Sequence, residues 1–219
     1  MLRQADASVR FLNERVGGVH IGILGTGQVG QTLAAAWSAA GHDISFGSRD
    51  PGPRSLDFPV AALTETVAAA DVVVNATPGA QSLPTLTDIG AAAFAGKTII
   101  DVANATTPAF ELVYPNSSLG EKLQDALPLA HVVKTMNTAA MVIMTNPAAL
   151  GQSSVFVCGD DETAKATVSA LLHDLGWATD SIVDLGSIQS ARGTEHYFLL
   201  FAALMQHEKS PNFNIRVVR

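Results

Sequence analysis

Gly25, Gly27 and Gly30 stand in the run Gly25-Thr26-Gly27-Gln28-Val29-Gly30-Gln31. The spacing G-x-G-x-x-G lets a backbone turn come close to a pyrophosphate while the following helix aims its free N-terminal amides at it. Gly25 permits the tight turn, Gly27 removes the Cβ that would collide with the phosphates, and Gly30 lets helix pack on strand. A second cluster, Gly47-Ser48-Arg49-Asp50, bears on which dinucleotide the turn would take. A binder of the free ribose 2′-hydroxyl places Asp or Glu at the end of its second strand. Here Gly47 leaves space, Ser48 can donate a hydrogen bond, and Arg49 can grip a phosphate through its fork of donors. Asp50 falls past the strand end, before Pro51, where it caps the turn or orients Arg49. The pattern predicts NADP(H), held by Gly25, Thr26, Gly27, Gln28, Val29, Gly30, Ser48 and Arg49.

Further polar residues fall where other strands should end. Ala76, Thr77 and Pro78 would flank the nicotinamide ribose. Asn104 would meet its carboxamide, and Met136, Asn137 and Thr138 would meet a second substrate. Familiar catalytic sets are missing from the sequence. Tyr114 and Tyr197 are followed four places on by Ser118 and Phe201, so neither begins a Tyr-x-x-x-Lys pair. Lys134 and Asn137 have the spacing of a helical Lys–Asn pair, but they fall on a strand and its end and cannot share a face that way. The six histidines contain no H-x-x-x-H and the single Cys158 reads as a core thiol, so no metal site is expected. Glu195 and His196 fall on an apolar helix, where His196 reads as a satisfied side chain rather than a proton donor. With no catalytic residue assigned, the chemistry that remains is hydride transfer between NADP(H) and another redox cofactor. That reaction needs alignment and exclusion of water more than a protein acid or base. A flat acceptor would suit it, with Met136, Met141, Val142 and Met144 as an apolar face. Two other readings stand beside this one: a reductase of a small carbonyl or imine, which would need a proton donor, and a non-catalytic NADP(H) sensor.

These tips need a sheet to hold them. The apolar runs 19–24, 42–47, 71–76, 97–102 and 131–136 have strand length, and several are apolar throughout, as strands covered on both faces are. Between them lie helical stretches over 32–40, 60–70, 81–95 and 117–127, the last capped by Ser117 or Ser118 before Glu121. The alternation predicts an α/β fold: a doubly wound parallel (Rossmann) sheet with a small C-terminal α/β extension. In that extension 154–158 and 182–185 read as strands, 162–175 and 187–207 as helices, and the tail 214–218 as an edge strand. The organisation expected is an N-terminal extension over 1–18, an NADP-binding domain over 19–150 and a small C-terminal domain over 151–219. A chain of 219 residues that is 47% hydrophobic can bury such a core. Its net charge of −7 argues against a nucleic-acid partner, and no apolar run reaches the ~18 residues of a membrane span. The lone cysteine fits a reducing, cytoplasmic setting. The helix over 198–205 is apolar nearly all round, which predicts a homodimer contact.

Taken together, these motifs resemble the coenzyme-F420-dependent NADP oxidoreductases. The resemblance runs over most of the chain after residue 18. It is carried by 23–30, 46–50, Asn75-Ala76-Thr77-Pro78-Gly79, Val133-Lys134-Thr135-Met136-Asn137-Thr138 and Val157-Cys158-Gly159-Asp160-Asp161. It implies a dimeric enzyme that moves hydride between NADP(H) and the 8-hydroxy-5-deazaflavin F420. By the same likeness Thr26 binds the nucleotide, and Ser48 and Arg49 its 2′-phosphate. Similar domains form the reductase part of six-transmembrane metalloreductases, where the acceptor is an ordinary flavin, so F420, FMN and FAD all stay open as co-substrate.

Overall fold

The computed structural model describes residues 18–52 and 56–218; the extension read over 1–18 lies outside the described residues except for Gly18. The strands in chain order are β1 (His20–Leu24), β2 (Asp43–Ser48), β3 (Val60–Ala62), β4 (Val72–Asn75), β5 (Thr98–Asp101), β6 (His131–Thr135), β7 (Val155–Cys158) and β8 (Ile182–Asp184). They form one sheet in the order β3-β2-β1-β4-β5-β6-β7-β8. Strand order reverses between β1 and β4, and a ligand crevice opens beyond the strand ends at such a point. β4 is buried at every position, as expected of a strand covered by helices on both faces.

The helices are α1 (Gln28–Ala39), α2 (Leu63–Ala69), α3 (Gly79–Ile89), α4 (Leu119–Ala126), the single turn α5 (Met141–Met144), α6 (Glu162–Asp174) and α7 (Ala191–Glu208). Side-chain caps set the starts of two of them. Ser118 caps α4 by accepting from the Glu121 amide at 3.1 Å, and Asp161 caps α6 by accepting from the Ala164 amide at 2.7 Å. Two apolar layers flank the sheet. One gathers Ile23, Trp37, Phe46, Val168 and Trp177; the other gathers Leu24, Leu86, Phe94, Leu123 and Ile188. The Trp37 indole donates to the Leu171 carbonyl at 3.0 Å, and Trp177 to that of Met144 at 2.9 Å. These bonds satisfy buried donors; the first ties α6 to α1, and the second ties the segment after α6 to α5.

The structure departs from the sequence expectation at three places. The stretch 60–70 is not one helix: Val60–Ala62 pair with Phe46–Ser48 as an edge strand before α2 begins. The Phe46 amide draws the chain in by donating to the Pro59 carbonyl at 2.8 Å. β7 pairs antiparallel with β6 and parallel with β8, so the sheet's last strands run against the others. A short return over 136–154 allows this, because an antiparallel neighbour needs no crossover helix. The tail 214–218 forms no strand. Ser154 donates its amide to the Ile215 carbonyl at 2.8 Å, while its hydroxyl accepts from the Val217 amide at 3.1 Å, so a side chain takes the place of a ladder.

On α7, Leu199, Leu200 and Met205 are exposed while Phe201 is buried. Among the described residues no helix is long and apolar enough to cross a membrane.

Candidate dinucleotide and acceptor cleft

A cleft of about 760 Å³ opens at the strand ends on both sides of the reversal point. Its floor is the turn between β1 and α1, where Gly25, Thr26, Gly27, Gln28 and Val29 all reach the surface of the cleft. Each glycine has its own reason to be there. Gly25 sits at φ +110°, and a Cβ on it would lie 2.5 Å from the Ala76 carbonyl oxygen. Gly30 is buried outside the cleft wall; a Cβ there would lie 2.5 Å from the Gly25 oxygen, so its role is to let α1 pack on β1. A Cβ on Gly27 would meet nothing within 4 Å. Gly27 is also the N-cap of α1, with no side-chain cap and no acidic residue in the first helical turn. The amides there face the cleft unclaimed by a capping side chain, the state in which a helix N-terminus accepts an anion.

At the end of β2 the cleft takes in Ser48, Arg49 and Asp50. Ser48 Oγ donates to the Asp50 carbonyl at 2.8 Å and accepts from the Asp50 amide at 3.2 Å, and Asp50 Oδ1 accepts from the Gly52 amide. Asp50 therefore closes the turn, while the Arg49 side chain stands exposed beside the cleft.

The other end is built by β4, β5 and β6. Ala76, Thr77, Pro78, Asn104 and Asn137 line the cleft together. Asn104 Nδ2 donates to the Asn137 carbonyl at 2.8 Å, and Asn137 Nδ2 donates back to Asn104 Oδ1 at 2.9 Å, clasping the tips of β5 and β6. Met136 and Thr138, expected beside the substrate, are not on this wall: they are 1% and 2% exposed, and Met136 belongs to the apolar core. The cause is a three-residue turn. Met136 has φ +59°, and the Asn137 amide donates to the Thr135 carbonyl at 2.7 Å across it. A non-glycine residue held there costs about 1–3 kcal/mol, a strain that concentrates at functional sites. The turn sends Met136 inward and brings Asn137 to the cleft.

Met141 and Met144 also line the cleft, whereas Val142 is exposed outside it. Facing them are Phe198 and Phe201 of α7, their rings stacked at 5.8 Å with 16° between planes. The sequence offered these rings only as part of an apolar helix, because nothing local shows that α7 returns to the mouth of the β1–β4 crevice.

A polar row lies beneath the cleft. Strand register sets Asn75, Asp101 and Lys134 side by side across β4, β5 and β6. Asn75 Nδ2 donates to Asp101 Oδ1 at 2.9 Å, and Lys134 Nζ donates to Asp101 Oδ2 at 2.9 Å and to the Ala103 carbonyl. The third proton of Lys134 goes to Glu195 of α7, whose Oε1 is 2.8 Å away. Glu195 also accepts from the Leu119 and Gly120 amides at the start of α4, at 2.8 and 3.1 Å. Burial pushes the Asp101 carboxyl above its ordinary value against the pull of Lys134. Burial works against the charge on Lys134, but Asp101 and Glu195 outweigh it and hold the ammonium protonated. The neighbouring Cys158 thiol, also buried, is pushed up to about 12 and is inert at neutral pH. The signal in sequence was a charged residue inside each of two apolar strands.

A candidate F420-dependent NADP-reductase from Arthrobacter sp. FB24, solved as a crystal structure, is 38% identical to this chain. It matches with a TM-score of 0.87 over 92% of this chain and 100% of its own. The chain belongs to the coenzyme-F420-dependent NADP oxidoreductase family. The family model "NADP oxidoreductase coenzyme F420-dependent" matches residues 20–105, from β1 to just past Asn104. Metalloreductase STEAP3 of Rattus norvegicus is 33% identical over 80% of this chain, which spans only 35% of that protein's length. An imine reductase from Streptomyces aurantiacus, 14% identical, covers 86% of this chain and 63% of its own with a TM-score of 0.65, and shares the fold. In this F420-dependent oxidoreductase family member the cleft suits NADP(H). The space above Gly27 is what a Cβ would fill, the α1 amides are uncapped by side chains, and a basic fork stands at the end of β2. The family match ends before the tip of β6 and before α7, so the Met and Phe side of the cleft lies outside it.

Proposed function

We propose that this chain transfers hydride between NADP(H) and a flat redox acceptor, the deazaflavin F420 or a flavin. One observation carries the reading. Of the described residues that line the cleft, Arg49 and Asp50 are the only ionisable side chains, and both stand at the end of β2. The opposite end, where the acceptor would lie, is bounded by Met141, Met144, Phe198 and Phe201 and by the amides of Asn104 and Asn137. A carbonyl or imine needs a proton as the hydride arrives; a deazaflavin or flavin carries the chemistry itself and needs only orientation and a dry surface. When bound, the nicotinamide supplies the hydride. The residues of the chain do the rest: the Gly25–Gly27 turn and the α1 amides hold the pyrophosphate, Ser48 and Arg49 the 2′-phosphate, and Thr77 and Asn104 the nicotinamide end. The likeness to the metalloreductase and to the Arthrobacter protein supports a redox acceptor without choosing among F420, FMN and FAD.

The test is NADPH oxidation by the purified protein with F420, FMN and FAD offered separately, and NADH in parallel. Turnover with any of these and NADPH supports the proposal and names the acceptor. Tight NADPH binding with no turnover on all three would overturn it in favour of a sensor or another substrate.

The phosphate end makes its own prediction. Arg49→Ala should weaken NADPH binding about tenfold or more, since a charge-assisted hydrogen bond is worth about 1.5–3 kcal/mol, and leave NADH nearly unchanged. Fluorescence titration of both nucleotides decides it, and equal losses would sink the assignment of Arg49 to the 2′-phosphate.

A further inference from the structure

The row Asn75–Asp101–Lys134–Glu195 lies outside the cleft yet ends at two of its walls. At one end, Asn75 Oδ1 accepts from Thr77 Oγ1 at 2.6 Å and from the Thr77 amide at 3.3 Å, and Thr77 lines the cleft. At the other end, Glu195 stands one helical turn before Phe198 on α7, and Phe198 lines the cleft from the opposite side. Between them every ammonium proton of Lys134 has an acceptor: Asp101, Glu195 and the Ala103 carbonyl. A buried ion network is on balance no more stabilising than apolar side chains of the same volume; its best-attested use is to specify register. An apolar contact lets a helix slide or rotate by small steps, whereas a saturated, directional network accepts one placement.

We propose that this row is a positioning device that registers α7 against the nicotinamide end of the cleft, with Glu195 as a positioning residue for the Phe198 wall. The inference rests on the cleft being the NADP(H) site, and it does not depend on which acceptor is used. Seating NADPH against Thr77 fixes Asn75, and through Asp101 and Lys134 it fixes Glu195 and the first turns of α7.

Hydrogen exchange read by mass spectrometry on the full chain, with and without saturating NADPH, tests this. NADPH should slow exchange at the glycine turn 25–29 and, by about tenfold, in α7 over 194–201. Phe198→Ala removes direct contact between that side chain and anything in the cleft, and the slowing in α7 should survive it. Asn75→Leu keeps the branched shape of the side chain but cuts the row; slowing should persist at the glycine turn and vanish from α7. Should Asn75→Leu fail to fold, Glu195→Gln reads the same link, with the same loss expected in α7. Protection of the turn without protection of α7 in the parent would overturn the positioning role alone. So would α7 protection that survives a cut row or is lost in Phe198→Ala. No protection at the turn would overturn the cleft assignment instead.

Discussion

Replacing Gly27 with valine should abolish binding of both NADPH and NADH while the protein still unfolds close to its usual temperature. The two halves of that expectation have separate causes. Gly27 has φ −76° and ψ 178°, an extended backbone that valine adopts readily, and a Cβ at this position meets nothing within 4 Å. The fold therefore tolerates the side chain, with a penalty within about 1 kcal/mol for a poorer N-cap. The space that valine takes is the space above the α1 amides, where a pyrophosphate must come within hydrogen-bonding distance of the backbone. Gly25 and Gly30 offer no such clean test. At Gly25 the positive φ and the Ala76 carbonyl oppose any side chain, and at Gly30 the Gly25 carbonyl does. Substitution there perturbs the turn itself. Nucleotide titration beside thermal unfolding separates these cases, and undiminished binding in Gly27→Val would overturn the reading of this turn as a dinucleotide site.

Lys134→Met should cost about 3–5 kcal/mol of folding stability at neutral pH, a large share of the 5–15 kcal/mol typical of a whole domain. Methionine fills similar space but leaves Asp101 and Glu195, which share that ammonium, facing one another in the interior. Part of the loss should return on acidification. Asp101 already binds its proton more tightly folded than its ordinary value of 3.8, because of burial, and without Lys134 it does so more strongly still. A carboxyl raised in this way keeps its contribution to stability below the unfolded value and loses it as pH rises through the folded one. The deficit of the variant relative to the parent should therefore shrink as pH falls from 7 towards 4. Denaturant unfolding of both proteins at several pH values measures this. A deficit under about 1 kcal/mol at pH 7 would mean that the buried charges are not uncompensated.

How much of this was legible follows from what each residue needs in order to act. The glycine turn, the Ser48-Arg49 pair and the alternation of strands with helices rest on local spacing, so the fold and the gathering of these residues in one cleft could be read from order alone. β3 escaped because its Val-Ala-Ala fits a helix as well as an edge strand, and its partner, β2, decided the matter. The direction of β7 escaped because a strand's own residues do not encode whether its neighbour runs with it or against it. Met136 was placed in the site and lies in the core, since the positive φ that turns it inward belongs to the folded backbone. Phe198 and Phe201 were visible as apolar helix positions, but only the return of α7 across the crevice makes them a wall. The polar row was hidden in a similar way: Asp101 and Lys134 stand as charged residues inside apolar strands, but only strand register places Asn75, Asp101 and Lys134 side by side.

Because β7 and β8 run against the other strands, their own C-terminal ends open at the end of the sheet opposite the cleft. The Gly159-Asp160-Asp161 corner, which has the look of a signature, sits there, with Asp161 beside His131 at the start of β6. A Cβ on Gly159 would lie 2.8 Å from the Val132 carbonyl, Asp160 accepts from the Ile188 amide, and Asp161 caps α6. Every one of those duties is mechanical. Bracket and cleft therefore occupy opposite poles of the molecule, and a change at the corner would reach the cleft only through the sheet between them.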